Sequence, residues 1–200
     1  MLCLTIMNVK SNNMSFKRLL HASKKLTPDY MFETYTEISP EFLNSIGVKA
    51  LFIDLDNTIA SIDQHKASRQ NILWFEKIIS RGIKVALVSN ASIKRVNNFN
   101  ANLGVPIYAN CKKPSTIHLL RAISDLKIAV SDAAMLGDQI FSDILCGRII
   151  GVKTIMVCPI QDKKDVLTRF KRFLERRYIL RYAQRNGYSS FMKIWKIKFP

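Results

Sequence analysis

Apolar residues along this chain gather in short, β-prone runs separated by stretches of helical spacing. Val48 to Ile53, Val85 to Val88, Ile107 to Ala109, Ala133 to Leu136 and Thr154 to Val157 read as buried parallel strands. Between them Ser39-Pro40-Glu41 starts a helix that Gly47 ends. Ser68 caps a second over Ile72, Leu73, Phe75, Ile78 and Ile79, closed by Gly82. A third runs from about Ile93 to Leu103 and stops at Gly104. Pro114 opens a fourth through Ile117, Leu120, Ile123 and Leu126, and Asp143 falls on the first turn of a fifth. Trp74, beside Phe75 on a periodic helix, is a core residue by its spacing. Thr27-Pro28-Asp29 reads as a turn, which puts the first strand at Val48. The alternation predicts an α/β fold with a doubly wound parallel sheet.

The strands run out into polar residues. Asp54 and Asp56 come after the first, Ser89 and Asn90 after the second, Lys113 after the third, and Gly137-Asp138-Gln139 after the fourth. Parallel strands bring these ends to one edge of the sheet, where open α/β folds bind their ligands. Carboxylates gathered there are costly unless they hold a cation or do chemistry. Acids from two strand ends, with a backbone carbonyl nearby, make an oxygen-rich half-shell suited to Mg²⁺. A lysine and a hydroxyl facing it suit phosphoryl oxygens, and the N-termini of the succeeding helices add N–H donors. One carboxylate can then attack phosphorus while the other moves protons.

The motifs carry a resemblance. Asp54-Leu-Asp-Asn-Thr58, Ser89, Lys113-Pro114 and Gly137-Asp138…Asp143 resemble, in order and spacing, the four motifs of haloacid dehalogenase (HAD) phosphatases. Within these, the sequence is most similar to subfamily IIIA, in the YqeG-like group related to phosphatidylglycerophosphate phosphatases. Val88-Ser-Asn90, Gly137-Asp-Gln139, the lead-in Leu26-Thr-Pro-Asp-Tyr30 and the tail from Phe170 to Gly187 support that narrower likeness. Ser142 stands where the group usually has Thr.

The resemblance implies a HAD-like, capless α/β domain and a phosphatase working through an aspartyl-phosphate. It makes Asp54 the nucleophile and a metal ligand. It makes Asp56 the general acid and base, with its backbone carbonyl also on the metal, and Asp138 the remaining ligand of Mg²⁺. Ser89, Asn90, Thr58 and Lys113 are then expected at the phosphoryl group, with Lys113 balancing Asp54. Asp143 and Gln139 support the shell from behind. Lys112 adjoins Lys113, and Pro114 favours the latter.

Charge changes the picture of the partner. Lys and Arg number 31 against 15 Asp and Glu, a net +16 in 200 residues. From Ile160 onward there are 12 basic and 3 acidic residues, 12 − 3 = +9, more than half of that excess. Val166, Phe170, Phe173, Leu174 and Ile179 recur there at helical spacing among arginines, so residues 161–200 are expected to form a basic amphipathic tail for an anionic membrane. Residues 15–160 would be the phosphatase domain, with Ser15 to Leu26 a short amphipathic helix, and 1–14 an extension or disordered start. The loop Ile59 to Lys66 leaves no room for a lid, and an open mouth suits a phosphate carried on something large.

The expected substrate is an anionic phospholipid, phosphatidylglycerophosphate, met by a cytoplasmic protein peripheral on the inner membrane face, or in the mitochondrial matrix of a eukaryote. A soluble nucleotide, sugar or protein phosphate is the alternative substrate. A nucleic-acid- or ribosome-binding module with a vestigial site is the alternative class, disfavoured because every motif residue is intact. Cys3, Cys111, Cys146 and Cys158 lack metal-site spacing and read as free thiols. His21, His65 and His118 are scattered, and Trp195 in the Phe191–Phe199 end is either an interfacial anchor or part of a disordered tail.

Overall fold

The computed structural model describes residues 26–161 together with Leu174, Glu175, Tyr178 and Ile179. The expected start at 1–14, the helix from Ser15 and most of the basic tail, including Trp195, lie outside the described residues.

Six parallel strands form one sheet: β1 (Tyr30–Phe32), β2 (Ala50–Ile53), β3 (Lys84–Val88), β4 (Ile107–Tyr108), β5 (Ala133–Gly137) and β6 (Lys153–Val157). Their order is β1-β6-β5-β2-β3-β4, so β2 lies inside, between β5 and β3. The helices are α1 (Pro40–Ser45), α2 (Arg69–Ile79), α3 (Ile93–Asn100), α4 (Ile117–Asp125) and α5 (Leu145–Ile150). Strand residues alternate between two cores. Leu51, Ile53, Val85, Leu87, Ala134 and Leu136 pack with Trp74, Phe75, Val96 and Phe99 from α2 and α3. Phe52, Ala86, Val88 and Met135 face Leu119, Ala122 and Ile123 of α4. Period-two alternation with both faces apolar is why these strands read as continuous hydrophobic runs. The doubly wound sheet is the fold expected, and only the loop through Ala67 separates β2 from α2.

Two expectations need correction. The sheet has a further edge strand, β1, which pairs with β6 through Tyr30 and Ile155, Met31 and Met156, and Phe32 and Val157. Three residues are too few to show an alternation. Pro114 does not open a helix: the Lys113–Pro114 peptide is cis, Ser115 N–H donates to Lys112 O at 3.0 Å, and α4 begins at Ile117. Its buried face is Leu119, Ala122 and Ile123, whereas Ile117 and Leu120 are exposed. A third cluster joins Leu26, Met31, Ile140, Ile144 and Met156 to Ile179, so the described part of the tail packs on the sheet, while Leu174 faces solvent.

Asn71 in α2 binds several elements together. Ser68 and Asn71 form a reciprocal capping box, the Ser68 hydroxyl accepting from Asn71 N–H and Asn71 Oδ1 accepting from Ser68 N–H at 2.9 Å. The same side chain donates from Nδ2 to Tyr35 OH at 2.9 Å and to Ile59 O at 2.8 Å, and it is buried. Asn71→Ala would leave these groups without partners, and unfolding in urea should show a loss of about 3 kcal/mol. Trp74 is a core residue, as its spacing implied, and its indole N–H donates to Ile38 O at 3.0 Å.

Candidate active site

The site is assembled by the sheet's own ladder, continued one residue past the strands. Asp54 N–H donates to Leu136 O at 2.9 Å, which carries Asp54 alongside the end of β5 and the adjoining Asp138. Ser89 N–H donates to Tyr108 O at 2.9 Å and Cys111 N–H to Ser89 O at 3.1 Å, which ties the ends of β3 and β4 together. After Asp54 the chain folds back at once: Thr58, Ile59 and Ala60 N–H all point at Leu55 O, and Asn57 takes a φ of 67°. That left-handed position suits an asparagine, which tolerates it better than most side chains.

Lys113 is the hub. Its Nζ lies 2.7 Å from Asp54 Oδ1, 2.7 Å from Asp143 Oδ1 and 2.6 Å from Val88 O. An ammonium has three protons, and three acceptors meet them. Burial alone would pull its pKa down, but the carboxylates of Asp143 and Asp54 more than offset that and hold it above the usual lysine value. Lys112 is exposed, and Lys113 is the one of the two that reaches Asp54. Asn90 braces the same segment: its Oδ1 accepts from Lys113 N–H at 2.7 Å and its Nδ2 donates to Lys113 O at 3.4 Å. Its amide is thus engaged with main chain. Burial pushes Asp143 up to about 6, against the pull of Lys113, and Gln139 contributes its N–H to Asp143 Oδ2 at 3.1 Å.

Gly137 makes this packing possible. A Cβ there would stand 2.3 Å from Asp143 Cβ, so any side chain at the end of β5 would expel Asp143 from its place against Lys113.

Carboxylate oxygens of Asp54, Asp138 and Asp143 lie within 4.8 Å of one another. Thr58 Oγ1 sits between two of these acids, 3.2 Å from Asp54 Oδ2 and 3.4 Å from Asp138 Oδ1. Three buried carboxylates gather here beside the Lys113 ammonium, and oxygen donors of this kind fit a hard divalent cation. Ser89 is buried beside them; its hydroxyl accepts from Ala91 N–H at 3.2 Å, which keeps its O–H as a donor.

The Asp56 carboxylate stands outside that cluster. It pairs with Arg95, at 3.2 Å from Nε and 3.1 Å from Nη2. Arg95 also donates to Ser61 O at 3.1 Å and lies 5.7 Å above the Phe99 ring. Sequence reasoning passed over Arg95. It is the third residue of α3, whose N-cap is Ser92, and nothing in that local position marks a side chain that reaches back to Asp56. Cys111 is buried with its thiol donating to Tyr108 O at 3.1 Å, and burial pushes that thiol up to about 11, which disfavours the thiolate.

An acid pair closing an inner parallel strand, with serine, lysine and further acids supplied by neighbouring strand ends, defines a phosphoric monoester hydrolase of the HAD type. Comparison with known proteins carries this further. The family described as Mitochondrial PGP phosphatase matches residues 9–161. A protein of Bacillus subtilis (strain 168) named "Probable phosphatase YqeG" is 36% identical over 165 residues, covering 82% of this chain and 95% of that one. The chain therefore belongs to the mitochondrial PGP phosphatase family. Among solved structures, an uncharacterized Listeria monocytogenes serotype 4b protein aligns over 59% of this chain and 85% of its own, at 21% identity and a TM-score of 0.47. A 3-deoxy-D-manno-octulosonate 8-phosphate phosphatase from Yersinia pestis covers 56% of this chain and 64% of its own, at 16% identity and a TM-score of 0.44.

Proposed function

We propose that this phosphatase removes the terminal phosphate of phosphatidylglycerophosphate, releasing phosphatidylglycerol and inorganic phosphate, with Mg²⁺ as its cofactor. The observation that carries the chemistry is the buried cluster of Asp54, Asp138 and Asp143, two of whose carboxylates meet the Lys113 ammonium. Asp54, Asp138 and the main-chain carbonyl of Asp56 would hold the Mg²⁺, which when bound supplies positive charge to the phosphoryl oxygens.

The chain's own groups do the rest. An Asp54 oxygen attacks phosphorus, the bond from phosphorus to the lipid oxygen breaks, and Asp56 delivers its proton to that oxygen. Water then attacks the phosphoryl group on Asp54, Asp56 takes the water's proton, and phosphate leaves with Asp54 restored. Lys113, its protons already matched, fixes Asp54 and offsets its charge rather than reaching outward. Ser89 is the group that donates to a phosphoryl oxygen.

Several features favour a lipid. The family's description names PGP phosphatase. Beside Thr58 opens a cleft of about 440 Å³ lined by Thr34, Tyr35, Gln64 and Ser68 together with the acid Glu33, hydrogen-bonding groups that suit the hydroxyls of a glycerol head group. No helix among the described residues is long and apolar enough to cross a membrane. On this reading the protein works on the cytoplasmic or matrix face of the membrane that holds its substrate. Phosphate release from phosphatidylglycerophosphate in mixed vesicles, with Mg²⁺ and with chelator, tests this beside a panel of nucleotides, sugar phosphates and phosphopeptides. Metal-dependent preference for the lipid is expected. Faster turnover of a soluble monoester would overturn the lipid assignment.

Arg95 gives a separate test of the role of Asp56. Arg95→Met should lower kcat by about 10- to 100-fold, because the proton-transfer carboxylate loses its fixed aim. Arg95→Lys, which keeps a donor near the carboxylate, should recover part of that loss. Equal losses for Arg95→Met and Arg95→Lys, or a loss carried by KM alone, would show Arg95 to be merely structural.

A further inference from the structure

The loops that carry the site also carry exposed isoleucines. Ile62 lies in the loop after β2, Ile93 opens α3 after β3, Ile117 opens α4 after β4, and Ile160 comes after β6. They are 41%, 50%, 70% and 47% exposed, which is far from the buried state isoleucine ordinarily takes. Each lies beyond the carboxyl end of a parallel strand, so all belong to the edge of the sheet where the site opens.

Hydrogen bonds tie them to it. Ile160 N–H donates to Asn57 O at 3.0 Å. Ser61, next to Ile62, accepts from Arg95, which lies two residues past Ile93 and holds Asp56. Ile117 stands four residues from Lys113, whose main chain Asn90 braces. Lysines accompany them: Lys66, Lys94 and Lys112 are exposed in the same loops and first turns, beside the exposed acid Asp63, while Glu33 and Glu37 are exposed after the edge strand β1. Isolated exposed aliphatics need no explanation, but one from each of four mouth loops, with lysines among them, is a composition suited to entering a head-group layer.

We infer that this rim is a membrane-docking face: the isoleucines enter the interfacial layer of an anionic phospholipid bilayer, the lysines meet its phosphates, and the site faces the lipid surface. The inference rests on the lipid reading of the substrate and names the partner surface that reading requires. It is independent of the basic tail. Docking also lets the bilayer itself cover the mouth while a head group is engaged.

The test uses the full chain with Ile62→Asn, Ile93→Asn and Ile117→Asn combined, and sedimentation with phosphatidylcholine–phosphatidylglycerol vesicles. Turnover of p-nitrophenyl phosphate reports the intact site and should stay within about twofold of the parent, since none of the three touches it. Vesicle affinity should fall at least about tenfold, as expected for withdrawing several buried methylenes from the interface. A control with Leu73→Asn and Ile79→Asn, exposed on α2 outside the mouth loops, should bind as the parent does.

Unchanged binding by the triple variant, or an equal loss in the control, would overturn the docking face. Loss of RNA binding with vesicle binding intact would assign the rim to nucleic acid and overturn it as well. Should the triple variant fail to fold, Ile117→Asn alone, at the most exposed position, is expected to lower affinity, and parent-like binding would overturn the proposal. These vesicles hold no phosphate monoester, so a failure to hydrolyse phosphatidylglycerophosphate, which would sink the substrate assignment, is read separately.

Discussion

Asp54→Asn should release no phosphate: kcat should fall by about 10⁴-fold or more, the scale of losing a covalent nucleophile. The amide keeps the shape of the carboxylate but lacks the charged oxygen that attacks phosphorus. Folding should survive, because Asp143 still meets Lys113 at 2.7 Å and Val88 O at 2.6 Å still accepts from it. Steady-state turnover with Mg²⁺, read beside an unchanged circular dichroism spectrum, checks both halves. A variant that retained turnover would remove Asp54 from the nucleophile's position and reopen the order of the chemistry.

Lys113→Met should damage the fold as well as the rate. Methionine fills similar space but leaves Asp54 and Asp143 buried with no ammonium between them. Removing one partner of a buried pair costs about 3–5 kcal/mol, mostly as the penalty of the charge left behind. The loss should depend on pH in a definite direction. Asp143 already titrates near 6 with Lys113 in place, because burial disfavours its charged form. Without the ammonium it rises further, so the native state binds more protons than the unfolded chain between the ordinary aspartate range and that raised value. Stability of the variant therefore recovers as pH falls through this window and is poorest above it. Urea unfolding of both proteins at several pH values, in metal-free buffer, measures this. A deficit that stayed constant or widened on acidification would contradict the account of the buried cluster.

The parts legible in the sequence were those governed by short-range patterns. Asp54, Ser89 and Asp138 each come directly after an apolar run, and Lys113 lies within a few residues of a short one, so placing the strands places the chemistry. β1 escaped because Tyr30 to Phe32 is shorter than one readable alternation, and only its pairing with β6, more than a hundred residues away, makes it a strand. The register of α4 escaped for a different reason. Ile117, Leu120, Ile123 and Leu126 repeat every three residues, whereas a helix turns in 3.6, so a strict three-spacing drifts off the buried face. The fold buries Leu119 and Ala122 instead and leaves Ile117 at the rim. Arg95 was silent because nothing local distinguishes a surface arginine from one that reaches a carboxylate thirty-nine positions earlier. Gly137 stood out as part of a motif, yet only the approach of Asp143 explains why no larger residue can take its place.

Asn71 grips Tyr35 on one hand and the Ile59 carbonyl on the other, so the floor beneath Thr58 is anchored to a segment preceding the acidic strand. Shortened versions of this enzyme that begin at the apparent start of the catalytic region, near Val48, would forfeit that anchor along with the outermost strand. Anyone seeking a minimal active fragment should keep the polypeptide from about Leu26 onward, even though every reacting group lies downstream.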